Sequence, residues 1–328
     1  MVELDDRTGN ILTTIALFAI VAGIAYATRA TIAVFVLALL FAYLLEPAVT
    51  WVHLRLTPRA SSRNGAIGVV YVVGLSIVAA LEWIVAPAVT EQLQRLDAAL
   101  PGMMAKITDH RFLADHASRI AAVWERIGHS LGVAAANTGW LLLVPFIAIF
   151  FLSHRSALIA WCVDLLAQRR DRARVTATIE RIDAMLAEYV RAQLALASMS
   201  AVVYTVSMAF LHYPFPLVLG IVAAALEFIP IVGWLIAAAM MLLCGWLVGA
   251  PWIWMAVVIA MWKTVENLVV SPRMMGQRLA MDPITVLFAL MVGGQIAGLL
   301  GVILSVPAVA VLRILWLERS RGQSAAAA

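Results

Sequence analysis

The chain predicts an all-α, polytopic integral membrane protein of about eight transmembrane helices, with broken or re-entrant helices in its second half. Three observations carry that reading. Hydrophobic residues make up 64% of the 328 and charged ones 13%, with a mean hydropathy of +0.96. A soluble domain is about half apolar and roughly a quarter charged. Apolar runs reach about 18 residues or more, which suits spanning helices better than core strands. In the second half, ionisable residues and prolines interrupt those runs, where a simple span would carry neither.

The segments follow in order. Residues 11–28 form the first helix. Ala25-Tyr26-Ala27 looks like a leader cleavage box, but Glu3, Asp5 and Asp6 outnumber Arg7 before it. A basic flank is the mark of a leader, so the helix reads as retained. Helix 2 is expected over 31–52, and the loop after it carries Arg55, Arg59 and Arg63 without an acid between them. Basic loops stay in the cytoplasm, which places both this loop and the N-terminus there. Helix 3, over 64–86, ends at Pro87 on the outer side, which makes 1–87 a unit of three helices.

Residues 88–132 balance acids with bases and repeat Leu93, Leu96 and Leu100, then Ile120, Val123 and Ile127, at helical spacing. They read as an extracytoplasmic amphipathic hairpin parted at Pro101-Gly102. Helix 4 falls at 133–152. Residues 153–194 hold seven arginines against five acids and form a cytoplasmic amphipathic segment. The remaining span, 195–313, is the predicted transport core, and 314–328 is a cytoplasmic tail. Cys162 and Cys244 have no CxxC or metal spacing and read as buried thiols.

The core carries the chemistry. A single apolar run at 217–243 contains Glu227, Pro230 and Gly233. Proline removes a backbone donor, so a broken helix or two half-helices meeting near 227–233 is expected. Many secondary transporters build midplane sites from such breaks. Glu227 has no basic neighbour in its own helix, so it needs a proton, water or a partner from another helix. Lys263, Glu266 and Asn267 share one helix sector, with Lys263 and Glu266 at i, i+3. Ser271-Pro272-Arg273 is expected to break that helix. Glu46 and Glu82 lie near helix ends, where a long side chain reaches the interface. A shift of 68 residues pairs Glu227 with Gln295 and Gly233 with Gly301, a weak internal repeat.

No HExxH, GxSxG, P-loop or dinucleotide fingerprint occurs. No catalytic residue, metal ligand set or cofactor is assigned, and an enzyme is not expected. The net charge of +4 reports membrane orientation, because acids are interleaved with the bases and no nucleic-acid module is present.

Certain stretches resemble the autoinducer-2 exporter family, the PerM-like permeases. They are Leu226-Glu227-Phe228-Ile229-Pro230-Ile231-Val232-Gly233, the run Val265 to Gly276, Asp282-Pro283, and 293–307. Weaker matches are Pro87 with Glu91-Gln92, and Glu188 to Gln193. Where the family usually carries glycine, this chain has Ala192. The resemblance implies a bacterial inner-membrane protein of seven or eight spans, a homo-oligomer that exports small polar molecules. It also links the family to sodium/proton exchange, so the resemblance does not fix the substrate.

The combined expectation is an exporter working by alternating access, with both termini cytoplasmic. Its pathway residues are Glu227, Pro230, Gly233, Lys263, Glu266, Asn267, Pro272, Arg273, Gly276, Asp282 and Gln295. Its partners are the bilayer and a small polar solute or ions (protons or sodium), and no nucleic acid. One alternative is a sodium/proton antiporter using Glu227 or Glu266. Another is a non-transporting assembly or anchor protein. Eight simple spans would put Arg273 and Arg278 outside, against the positive-inside trend; re-entrant hairpins would not.

Overall fold

The computed structural model describes residues 6–56, 63–109, 138–167, 172–275 and 282–327. Among them all regular structure is helical. The helices are α1 (Asp6–Ala27), α2 (Arg29–Leu56), α3 (Arg63–Asp109), α4 (Thr138–Leu166) and α5 (Arg172–Phe210). They continue as α6 (Pro216–Leu226), α7 (Val232–Val248), α8 (Trp252–Val265), a π-helical turn at Glu266–Val270, α9 (Ser271–Met275) and α10 (Pro283–Ala327). Six described helices are long and apolar enough to cross a membrane. Their large apolar side chains, such as Trp83, Phe146, Phe210 and Trp316, face outward, as lipid contact requires. The all-α polytopic architecture expected from composition is present.

Two of the expected spans are hairpins. The first is α6–α7. Its chain leaves the helix at Glu227 and re-enters at Val232. Its outer ends lie together: Phe215 and Pro214 share one surface depression with Val248 and Gly249. Tyr213 lies against Gly245, where any Cβ would collide with its ring. The tip closes as tightly, because a Cβ on Gly233 would strike the carbonyl oxygen of Leu226. Gly249, at φ 78, ends α7 in the left-handed conformation that glycine adopts without strain.

The second hairpin is α10. Ala297 (φ −134) and Gly298 (φ 59, ψ −139) leave helical geometry. Gly293 and Gly301 then meet so closely that a Cβ on either would strike the other's carbonyl oxygen. Residues eight apart in a straight helix are about 12 Å apart, so the chain must double back here. Both glycines of the predicted repeat, Gly233 and Gly301, therefore sit at tight helical turns.

The hairpins point in opposite directions along α5. Glu318 pairs with Arg174 and Arg181 near the start of α5, while Val306 shares a cavity wall with Tyr189 further along. The second hairpin's tip thus points toward the end of α5. The first starts at that end, and its tip points back. α8 runs antiparallel to α5, with the Trp262 indole N–H donating to Ser200 Oγ at 2.9 Å. Arg273 consequently lies toward the arginine-rich start of α5, where the positive-inside trend gathers basic residues, while Arg278 lies outside the described residues.

Other boundaries differ from expectation. α3 does not end at Pro87, nor does Pro101-Gly102 part it: the helix runs through both to Asp109. Its outer half is held from outside itself. Gln92 Oε1 accepts from the backbone N–H groups of Leu217 (3.0 Å) and Val218 (3.2 Å), at the first turn of α6. Lys106 Nζ donates to the carbonyl of Leu247 at 2.6 Å, near the end of α7. Side chains of α3 thus cap both outer ends of the first hairpin, satisfying backbone groups the helices leave open. Such tertiary contacts offset the single donor each proline removes. Residues 110–132 of the expected hairpin lie outside the described residues. α4 bends at His154 (φ −114). α5 is continuous from Arg172, so no break separates an amphipathic segment from a fifth span at 195.

The main core lies where α5, the first hairpin and α8 meet, with Met208, Leu219, Ala223, Met241 and Met255 at its centre. Flexible methionines fill such irregular junctions well.

Candidate functional site

The tip of the first hairpin ends against α5 and α8. Lys263 on α8 faces it, and its Nζ donates to Glu227 Oε1 at 2.5 Å and to Glu266 Oε2 at 2.8 Å. All three residues are buried, at 8% exposure or less. The α-helical stretch of α8 aims Lys263 and Glu266 the same way, since residues three apart share a face. The π turn begins at Glu266 itself. Pro272 explains it: without an N–H it cannot close the α-helical bond to residue 268, and a widened turn absorbs the mismatch. The expected helix break at Ser271–Arg273 is therefore a π bulge followed by the short α9.

Gln193 on α5 fixes the tip by donating from Nε2 to the backbone carbonyl of Glu227 at 2.7 Å. Beyond Glu227 the chain is strained. Ile231 has φ 64 and ψ −54, and Val232 N–H bonds back to the Pro230 carbonyl at 2.6 Å. That is the three-residue γ-turn with positive φ, which is rare, and a β-branched residue at its centre is unfavourable. Strain of this kind persists only where surrounding structure imposes it, and it clusters at working sites.

A cavity of about 450 Å³ lies at this tip. Glu227, Lys263, Glu266 and Asn267 supply its ionic and amide groups, with Tyr189, Gln193 and Ser271 as further polar walls. Glu227 Oε2 is buried without a hydrogen-bond partner among the described residues. One ammonium faces two carboxylates, so the triad carries an unbalanced negative charge when all three are ionised. In a medium where each buried charge is costly, that arrangement suits a site that takes up a donor-rich or cationic guest.

Of the residues singled out in the sequence, the fold brings Glu227, Pro230, Lys263, Glu266 and Asn267 into the walls of this one cavity. Gly233 sits just behind the tip. Pro272, Arg273, Asp282 and Gln295 are exposed and outside those walls, and Gly276 lies outside the described residues. Gln193 stood out in the sequence only as the end of a weak motif. Its signal was a lone amide in an otherwise apolar stretch, LALAS following it. Among the described residues no cluster of three or more metal-binding side chains occurs.

A second polar cluster corrects the reading of Glu46 as an interface-reaching side chain. Glu46 is buried, and it accepts from Arg63 Nη2 at 2.7 Å and Arg155 Nη1 at 3.0 Å. Arg155 Nη2 also donates to Asp183 at 2.5 Å, and the Tyr43 hydroxyl donates to the same carboxylate at 2.8 Å. Four helices, α2 to α5, are tied here. Arg63 and Arg155 balance Glu46 and Asp183, so this cluster is neutral, unlike the triad.

A family model, the AI-2E family transporter, matches residues 15–319. The chain belongs to the AI-2E transporter family. With six described helices long and apolar enough to cross a membrane, it is a multi-pass membrane protein of that family. Among its relatives, YhhT of Escherichia coli (strain K12), a candidate transport protein, is 27% identical over 345 residues, covering 97% of this chain and 93% of that protein. YrrI of Bacillus subtilis (strain 168), another candidate transport protein, is 30% identical over 176 residues, 53% of this chain and 50% of that one. YueF of the same organism is 27% identical over 190 residues, 57% of this chain and 51% of its own length. The matches to both Bacillus proteins span about half of their length. In this AI-2E family member the tip of the first hairpin and the triad fall inside the matched region.

Proposed function

We propose that this AI-2E transporter exports a small polar solute, of the autoinducer-2 kind, across the bacterial inner membrane by alternating access. The single observation that supports it most is the buried Glu227–Lys263–Glu266 triad in the wall of a cavity at the tip of a pinned, strained hairpin. A cavity of about 450 Å³ fits a small ligand. Carboxylates, amides and the hydroxyls of Tyr189 and Ser271 around it suit a cargo rich in hydroxyl groups. Movement of the first hairpin would expose the cavity to each side in turn. Pro272, Arg273, Gly276, Asp282 and Gln295 belong to the pathway away from the cavity in this reading. The arginine-rich end faces the cytoplasm, together with both termini. Homo-oligomers are expected from the family resemblance.

The test is efflux from proteoliposomes loaded with a labelled polyol. Cysteines replacing Gln92 and Leu217, joined by a short crosslinker in a background lacking Cys162 and Cys244, should stop efflux until the link is cleaved. Undiminished flux in the locked protein sinks alternating access by this hairpin.

A second reading, sodium/proton exchange, draws on the unbalanced charge of the triad and the unpartnered Glu227 Oε2. A sodium-driven pH change in the vesicles that disappears in Glu227→Gln favours it. Solute efflux without ion dependence favours the exporter. The assembly or anchor alternative finds no support in a family of transporters.

A further inference from the structure

The triad leaves one atom unexplained. Glu227 Oε2 is buried and has no hydrogen-bond partner among the described residues. It is closed to water and to any guest in the cavity beside it. An acceptor shut away without a donor is costly, and an ionised carboxylate oxygen more so than most. Only a donor already inside the protein, or a proton, can satisfy it.

The neighbouring donors point elsewhere. Lys263 Nζ donates to Glu227 Oε1 at 2.5 Å and to Glu266 Oε2 at 2.8 Å. Gln193 Nε2 donates to the backbone carbonyl of Glu227 at 2.7 Å, not to its side chain. Around the triad α5 presents Tyr189 and the buried Tyr204, the π turn presents Asn267, α9 presents Ser271, and α10 presents Val286 and Val306. Among the described residues no second cation lines the cavity. What does lie beside Glu227 is another carboxyl group, for its side chain and that of Glu266 are within hydrogen-bonding reach of each other. An ionised carboxylate only accepts, whereas a carboxylic acid donates one O–H. Two carboxyl groups this close do not both ionise; they hold one proton between them.

Charge balance leads to the same point. With both carboxyl groups ionised the site carries a surplus negative charge, among apolar helices where an unbalanced charge is costly. The cluster at Glu46 reaches neutrality with two arginines for two carboxylates. The triad has one base for two acids, so one proton brings it to the same balance.

We infer that Glu227 and Glu266 share one proton, which makes the triad a proton-binding site in the cavity wall. With the proton the three side chains are an ammonium, a carboxylate and a carboxylic acid, and the site is neutral. When the proton leaves, the O–H electron pair stays on the carboxylate, the proton passes through the cavity to water, and the site turns anionic. A cationic group entering the cavity is favoured in that second state, so its uptake and the release of the proton go together. The shared proton serves either transport reading above, because it rests on three side chains and not on the cargo.

Infrared spectroscopy of the full-length protein tests it, in a maltoside detergent that has no carbonyl of its own. At about pH 6, where an exposed Asp or Glu is ionised, the carboxylic-acid C=O band should have the intensity of one acid per chain. Glu227→Gln and Glu266→Gln should each abolish it, since either amide removes one of the two groups that need the proton. The neutral triple variant Glu227→Gln, Lys263→Met, Glu266→Gln should lack it too. A band missing from the unaltered protein overturns the inference. So does a band that survives either single substitution, which marks an acid that is not shared, or one that survives in the triple variant, which places the acid elsewhere. If the single variants do not fold, the unaltered protein and the triple variant decide. Failure of the efflux test above would leave the infrared result unchanged, so the two stand or fall separately.

Discussion

Replacing Lys263 by methionine isolates what the triad does for the fold. The side chains match in length, so packing is largely kept while the ammonium is lost. Two carboxylates then face each other at a site where Glu227 and Glu266 are 8% and 7% exposed. Removing one partner of a buried pair costs about 3–5 kcal/mol, because the remaining charge has lost both its counter-ion and water. The two bonds lost here, at 2.5 and 2.8 Å, are both charge-assisted, the strong kind. At roughly 2–3 °C per kcal/mol for a chain of this size, Lys263→Met should lower the midpoint of thermal unfolding in detergent by about 10 °C. The triple variant Glu227→Gln, Lys263→Met, Glu266→Gln carries no charge at the site and should recover most of that loss, since replacing all partners together is often near neutral. The assay is tryptophan fluorescence or dye-monitored unfolding of the three proteins side by side. A loss under about 1 kcal/mol for the single variant refutes the reasoning, because it gives the triad the strength of an exposed ion pair. So does a triple variant no more stable than the single one.

Three further outcomes are expected from the same geometry. Gly233→Ala and Gly301→Ala should each cost about 1–3 kcal/mol by driving a methyl into a backbone carbonyl, whereas Gly74→Ala, with open space around it, should be neutral or stabilising by about 0.5–1 kcal/mol; unfolding midpoints of the three compare them directly. Gln92→Ala should cost about 0.5–2 kcal/mol through the two uncapped N–H groups of α6, and hydrogen exchange should quicken at Leu217 and Val218 before anywhere else in the hairpin. Tyr43→Phe should cost about 1 kcal/mol by removing the bond to Asp183, with solute efflux unchanged, because Tyr43, Glu46 and Asp183 line no part of the cavity at Glu227; a stopped efflux would contradict that separation.

Parts of this site could be read before any coordinates. The i, i+3 spacing of Lys263 and Glu266 implied their pairing, and the electrostatic cost of an isolated Glu227 demanded a partner from another helix. Pro230 and Gly233 marked the hairpin tip. What composition could not decide was direction: an apolar run over 217–243 is long enough for one span, and equally long enough for two short arms. Only the contacts of Tyr213 with Gly245, and of Gly233 with Leu226, distinguish these. Gln193 was hard to find because a single amide makes no periodic pattern. Glu46 was misjudged because its partners lie 17 and 109 residues away, beyond the reach of local spacing. Pro87 was misjudged for a related reason. Local chemistry says stop, but the caps that hold the helix beyond it come from contacts with α6 and α7.

The first hairpin has a consequence for how the chain acquires its topology. It leaves and returns at one face, so it adds no net crossing. α8 therefore travels in the direction it would take if α6 and α7 were missing, and Arg273 lands on the arginine-rich side in either case. A segment of that kind can be lengthened, shortened or remade without inverting the helices after it. The part of the molecule that shapes the cavity is thereby free to vary, while the arrangement of the surrounding helices stays fixed by their charges.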